Sequence, residues 1–175
     1  MSRPKAFLSG IALILGLAVF AAIWGKQVMG DSRKSSPLAR EQENAKTILA
    51  IFRAIEERDP TLTQMFQPDF EIHWPPSLPY GGTFSGLEPR PGGWAAVWGP
   101  LQPTEAERKM DPRVVATHDD DVVVLWHQRG RTRAGQIFDG EVLGMYHFRE
   151  GKLARAQMFY FDTAAVAAFL KGAET

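Results

Sequence analysis

The 175-residue chain predicts an α+β domain: N-terminal helices, then a curved, mostly antiparallel sheet, the whole preceded by one apolar helix of membrane-spanning length. Three observations carry this expectation. Ala45, Ile48, Leu49, Phe52 and Ile55 recur at helical spacing, with Glu43, Lys46, Arg53, Glu56 and Glu57 on the other face. From Phe70 onward the apolar positions change to period two, as in half-buried strands. Residues 141–170, EVLGMYHFREGKLARAQMFYFDTAAVAAFL, then hold two alternating arms, a tight turn and a short apolar helix behind an aspartate. Helices followed by a run of strands joined through short turns is the α+β pattern.

Residues 6–24, AFLSGIALILGLAVFAAIW, carry no charge. As a helix they would reach roughly 28 Å, about the hydrocarbon thickness of a bilayer. Residues 1–25 are therefore read as a transmembrane anchor or, as the alternative, a cleavable signal peptide. Val19-Phe20-Ala21 and Val28-Met29-Gly30 are passable cleavage sites, but neither has the preferred Ala-x-Ala form. Arg3 and Lys5 before the run nearly balance Lys26, Arg33 and Lys34 after it, so the positive-inside rule orients it weakly. A short N-terminal tail normally stays inside. The expectation is a single-pass membrane protein with its folded part on the non-cytoplasmic side, or a secreted one after cleavage.

Residues 26–43 are polar, contain Gly, Ser and Pro, and read as a linker to a domain over residues 44–171. Asp59-Pro60 is an N-cap with proline at the first helical position, opening a short second helix with Leu62, Met65 and Phe66. Phe70, Ile72 and Trp74 alternate with Glu71 and His73 as a strand. The prolines and glycines of residues 75–93 forbid a continuous element but leave room for a short strand at Gly82–Ser85. Trp94, Val97 and Trp98 mark a short helix, and TEAERKM a charged helical turn. Arg113–His118 is a strand, Asp119–Asp121 a turn and Val122–Gln128 a strand rich in β-branched residues. Thr132–Phe138 and Val142–Phe148 flank Asp139-Gly140, which on propensity alone is a hairpin turn. Glu150-Gly151 suits a two-residue turn, Asp162 a helix N-cap and Gly172 a helix stop.

Composition excludes several classes. With no cysteine there is no disulfide framework, thiol nucleophile or thiolate metal site. Residues 1–44 hold 6 basic and 3 acidic side chains, leaving 14 basic against 17 acidic in the domain, a net of −3. Nucleic acid is not an expected partner, because phosphate binding needs a basic face. Arg129, Arg131 and Arg133 read as charge on an exposed strand edge. His73, His118, His127 and His147 show no ligand spacing, so neither a metal nor a cofactor is expected. Asp119, Asp120 and Asp121 lack the spacing of a calcium loop.

Tyr146-His147-Phe148, Gly151-Lys152-Leu153 and Tyr160-Phe161-Asp162-Thr163-Ala164-Ala165 resemble the closing hairpin of SnoaL-like domains, within the nuclear transport factor 2-like superfamily that includes polyketide cyclases and ketosteroid isomerase. The resemblance covers about residues 44–170. It implies a cone, with the sheet wrapped around the N-terminal helices and a pocket open at one end. It also implies one long bent strand through Asp139-Gly140, with a bulge or kink there. Mapped onto this chain, it places Ile72, Trp74, Trp98, Trp126, Gln128, Tyr146 and Phe159 in the pocket, with Gln128 as the orienting polar group. By parity His73, His127 and His147 point away. Tyr80 with Gly81-Gly82 is a candidate lid.

The catalytic pattern of the relatives is broken. The base of ketosteroid isomerase ends the first strand just before a proline, where this chain has Trp74. The limonene-epoxide-hydrolase relatives carry an aspartate three residues before the closing aspartate, where this chain has Phe159. The remaining acid is Asp162, a weak catalytic candidate that doubles as the helix cap. The leading expectation is a membrane-tethered domain binding a small apolar or aromatic molecule. The alternatives are an isomerase, cyclase or hydrolase, and a non-catalytic domain forming a homodimer through the open face of its sheet.

Overall fold

The computed structural model describes residues 36–87 and 100–173. Helix α1 spans Pro37–Glu57, and a 3₁₀ turn follows at Leu62–Met65. Strands β1 (Phe66–Trp74) and β2 (Gly82–Ser85) come next, then the short helix α2 (Glu105–Arg108). Strands β3 (Arg113–His118), β4 (Asp121–Arg131), β5 (Ile137–Arg149) and β6 (Lys152–Tyr160) lead to the terminal helix α3 (Thr163–Ala173). The six strands form one curved, open sheet in the order β2-β1-β6-β5-β4-β3. Every pairing is antiparallel except β1 with β6, which is parallel.

Helix α1 begins at Pro37, so residues 37–43 of the expected linker are helical. Proline suits a first helical turn, where its missing N–H is not needed. The polar start of α1 is tied to the β3–β4 turn. Arg40 pairs with Asp119 at 3.1 Å and Asp120 at 2.9 Å, and Glu41 accepts the Asp119 N–H at 3.0 Å. Further along, Ile48, Ile51, Phe52 and Ala54 are buried, while Leu49 turns outward. Phe52 sets its ring 5.8 Å from that of Trp126 and 5.9 Å from that of Tyr146, both on the inner face of the sheet.

Other boundaries moved for identifiable reasons. Asp59 does not cap a second α-helix. Its carboxylate accepts the Thr61 N–H at 2.7 Å, a local turn, and only the 3₁₀ turn follows before Phe66 starts β1. Thr132–Gln136 is the β4–β5 turn rather than strand, closed by Thr132 N–H to the Gln136 carbonyl at 2.9 Å. Strand β5 runs unbroken through Asp139 and Gly140, as the resemblance implied, but its register with β4 shows no bulge there. The bulge lies in the next pairing, between His147 and Phe148 on β5, where Ala154 of β6 is the extra residue. Glu150 and Gly151 both adopt positive φ, as the expected tight turn requires. Gly172 does not stop α3, which reaches Ala173.

Arg129 and Arg131 occupy β4, an interior strand, and carry ion pairs rather than decorating an edge. Arg129 meets Asp111 at 2.8 Å and Asp139 at 2.9 Å, and Arg131 meets the buried Glu107 at 2.8 Å. Among the described residues no helix is long and apolar enough to cross a membrane. The apolar run 6–24 lies outside the described residues, as do the short helix expected around Trp94 and Val97 and the candidate pocket residue Trp98.

If Phe52 holds α1 against the inner face, Phe52→Asp buries an unpaired carboxylate there. It should cost roughly 3–5 kcal/mol or prevent folding. A variant that melts like the parent would remove α1 from that face.

Candidate functional site

A cavity of about 290 Å³ lies between α1 and the inner face of the sheet. The sequence produces it by simple geometry. One helix covers the concave face, and the space beside it is lined by side chains from the helix and from the sheet. Ile48 and Phe52 of α1 face Ile72 and Trp74 of β1, Trp126 of β4, and Tyr146 of β5. All six are buried. Ile55, Leu62 and Phe66 are only partly buried, and Arg58 is exposed, so the mouth lies at the C-terminal end of α1.

Four of the seven residues expected in the pocket line it: Ile72, Trp74, Trp126 and Tyr146. Trp74 and Trp126 are not on neighbouring strands, since β6 and β5 lie between them. Gln128 is on the inner face and fully buried, but it does not line the cavity. Its Nε2 donates to the Arg129 carbonyl at 3.3 Å, and its Oε1 accepts the Tyr160 hydroxyl at 3.5 Å. It is spent on the core rather than offered to a ligand.

Phe159 is a clear misplacement. It is 45% exposed on the outer face, opposite Leu143. An unbroken register from the Glu150-Gly151 turn would have put it inward. The extra residue Ala154 shifts every later position by one, so Ala156, Met158 and Tyr160 face inward instead. The same bulge lets Leu153 and Ala156, of opposite parity, both line the cavity. The signal was present in the sequence: Arg155 and Gln157 alternate with Ala156 and Met158, which marks the odd positions as solvent-facing. Met110 and Arg58 also line the cavity and were not anticipated.

Tyr80 is no flexible lid. It is buried, packs edge-on against Trp74 at 5.4 Å and donates its hydroxyl to Tyr160 at 2.9 Å. Tyr160 then leads to Gln128, a short polar chain behind the cavity wall. Asp162 accepts the Ala165 N–H at 2.8 Å, caps α3, and is exposed outside the cavity lining. His73, His127 and His147 do not line the cavity, and each meets a carboxylate: Glu71 at 3.3 Å, Asp139 at 2.7 Å and Asp121 at 2.8 Å. Among the described residues no three His, Asp or Glu side chains are placed to hold a metal ion.

The family model of the SnoaL-like domain matches residues 48–156. The chain belongs to the SnoaL-like domain family. Solved structures agree on the fold. Bal32a, from a soil-derived mobile gene cassette, superposes with a TM-score of 0.60 at 20% identity, covering 74% of this chain and 98% of its own. TerC, co-crystallised with polyporic acid, gives 0.57 at 21% identity over 76% and 99%. A protein described as a SnoaL-like polyketide cyclase, from Jannaschia sp. CCS1, gives 0.56 at 17% over 78% and 96%. No curated protein matches this chain in sequence.

Within this SnoaL-like domain the chemistry on offer is spare. Among the described residues the cavity wall is aliphatic, aromatic and thioether apart from Arg58, with Tyr146 its one hydroxyl and no carboxylate. Tyr146 directs that hydroxyl to the Met158 sulfur at 3.8 Å, and burial raises its pKa, offset only in part by the Trp126 indole. It can donate a hydrogen bond but is no base near neutrality.

Burial likewise pushes Tyr80 up to about 12 and Tyr160 well above the ordinary tyrosine value of 10.0. A phenol whose folded pKa is raised contributes stability that is complete below the unfolded pKa. That stability is lost as pH climbs through the folded value. Tyr80, Tyr146 and Tyr160 are the only three tyrosines in the chain. Phenolate absorbance should therefore stay low past pH 10 and rise together with unfolding near pH 12. Full phenolate signal near pH 10 with the fold intact would contradict this burial.

Proposed function

We propose that the domain holds a small, predominantly apolar or aromatic molecule in the cavity beneath α1. The carrying observation is the cavity itself: about 290 Å³ of space walled by Ile72, Trp74, Trp126, Tyr146 and the underside of α1. This sits near the lower end of the roughly 300–1,000 Å³ of small-molecule pockets. Leaving such a volume empty forgoes packing worth on the order of several kcal/mol. A bound apolar molecule would recover much of it. The co-crystallisation of TerC, which shares this fold, with polyporic acid supports a ligand-holding role.

The second reading is catalysis in the same cavity, of isomerase, cyclase or hydrolase type. Membership of the family and the description of the Jannaschia relative favour it. Here the chemistry would depend on enclosure and on the Tyr146 hydroxyl, since Trp74 stands where ketosteroid isomerase has its base. On this reading Tyr146→Phe abolishes product formation from a molecule that still binds, whereas Asp162→Asn changes little, because asparagine caps nearly as well. We also propose that residues 6–24 tether the domain to a membrane, with the domain on the non-cytoplasmic side. The full-length chain should then remain in the membrane fraction after carbonate washing, and a free mature chain starting at Ala22 or Asp31 would show cleavage instead.

The test of the binding reading is tryptophan emission and melting temperature across a hydrophobic-ligand screen. Trp126→Ala should weaken binding by about 1–3 kcal/mol through lost burial and stacking. Phe159→Ala should leave it unchanged, because that ring faces outward. A screen that moves neither emission nor melting temperature would defeat the reading and favour a role for the outer face. That face exposes Met145 and Phe159, with Phe161 exposed just beyond β6.

A further inference from the structure

We infer that the cavity selects molecules with no hydrogen-bonding group, a fused-ring hydrocarbon in class, and that Gly144 sets this selectivity by keeping the Tyr146 hydroxyl off the ligand. The inference rests on the binding reading above and names the ligand class of that cavity. Among the described residues the wall offers almost no polar surface, although Tyr146 and Arg58 belong to it. The indole nitrogens of Trp74 and Trp126 are covered, so both rings meet the cavity through carbon. Gln128 and Tyr160 are paired with one another outside the lining.

Gly144 explains where the one hydroxyl goes. It lies within β5, paired with Val124 of β4 and Met158 of β6. Glycine weakens a strand, and in a strand interior it often marks a close approach. The group that approaches here is the Tyr146 phenol. A Cβ on residue 144 would stand 2.5 Å from the Tyr146 ring carbons Cε2 and Cζ, and closer still to the hydroxyl oxygen. Only a residue without a side chain leaves room for that ring. The phenol therefore lies back along its own strand. Its hydroxyl ends against the sheet, over Gly144, and donates to the Met158 sulfur at 3.8 Å.

Size and polarity then define the ligand. The cavity of about 290 Å³ is roughly twice the engineered apolar cavity of about 150 Å³ that takes benzene, so roughly two or three fused rings match it. An apolar body loses its water on entry and gains contact with aromatic and aliphatic side chains. A carbonyl, hydroxyl or amine on that body would lose its water as well and find almost no partner in exchange. Small-molecule pockets usually hold a few polar groups that orient the ligand. Here the nearest such group is folded away onto the sheet.

Naphthalene, quinoline and 2-naphthol test this on the full chain near neutral pH, where all three are uncharged. They share one shape and differ by no polar group, one acceptor nitrogen and one hydroxyl. Affinity is read from the rise in melting temperature with probe concentration, which only a molecule bound to the folded domain produces. Naphthalene should bind about ten- to a hundredfold more tightly than either polar probe. Gly144→Ala should narrow that gap by about threefold or more, because the added methyl expels the phenol and brings its hydroxyl into the cavity. Adding Tyr146→Phe to Gly144→Ala should restore the gap, since the displaced ring then has nothing to donate. Where Gly144→Ala does not fold, Tyr146→Phe alone decides. It should leave the gap at the parent's value, and a further loss of quinoline binding would show the hydroxyl serving the ligand and overturn the inference. A gap that Gly144→Ala leaves unchanged in a folded protein removes the role of Gly144. Quinoline or naphthol binding to the parent as tightly as naphthalene overturns the ligand class and leaves the binding reading standing. If no probe moves the melting temperature, the binding reading fails and this inference with it.

Discussion

The contact of Phe52 with Trp126 and Tyr146 both closes the domain and keeps it hollow. A curved sheet has an apolar concave face that must be covered, and here one helix does most of the covering. If α1 lay flat along the sheet it would fill the concavity. Phe52 instead meets two large rings at nearly 6 Å, and the cavity lies beside that contact. The ion pairs of Arg40 with Asp119 and Asp120 fix the start of α1, and Glu56 fixes its end through the Met110 N–H. The cavity is what remains when a rod anchored at three points spans a bowl.

Polarity is sorted by the same geometry. Strand β4 alternates without a break, with Val122, Val124, Trp126 and Gln128 inward and His127 and Arg129 on the other side. The outer face gathers histidine–carboxylate pairs and the Arg129 bridges. There water and neighbouring charges satisfy them at little cost. Part of the polarity that enters the core is consumed internally, in the Tyr80–Tyr160–Gln128 chain; the buried Asn44 Nδ2 has no such partner among the described residues. A buried hydroxyl left without a partner would cost more than the hydrogen bond returns. That rule is enough to explain why Gln128 is turned toward Tyr160 rather than toward the cavity.

Much of this was legible in the sequence. The periodicity of α1, the span of Gly82–Ser85, the Glu150-Gly151 turn and the Asp162 cap each depend on residues within a few positions of one another, and local chemistry decides them. The failures share a different cause. Phe159 was placed inward by mapping the relatives' strand pattern, which carries no sign of the extra residue Ala154. Gln128 was given to the ligand because its partner Tyr160 comes 32 residues later. The helical start of α1 at Pro37 is stabilised by a turn some eighty residues away, so its polar sequence resembled a linker.

The indole at the end of β1 is built into the packing of this chain. Trp74 fills that place as a structural side chain, edge-on to Tyr80 at 5.4 Å and tilted to Tyr160 at 6.4 Å. A carboxylate there would face two phenols already committed to one another and an otherwise apolar wall, so burial would hold it protonated. Restoring a base would therefore need more than exchanging one residue; the Tyr80–Tyr160 pair would have to be opened to solvate it. The indole also extends the apolar wall that a carboxylate would have interrupted. Trp74 thus adds to the apolar surface of the cavity. The end of β1 is part of the apolar wall in this domain.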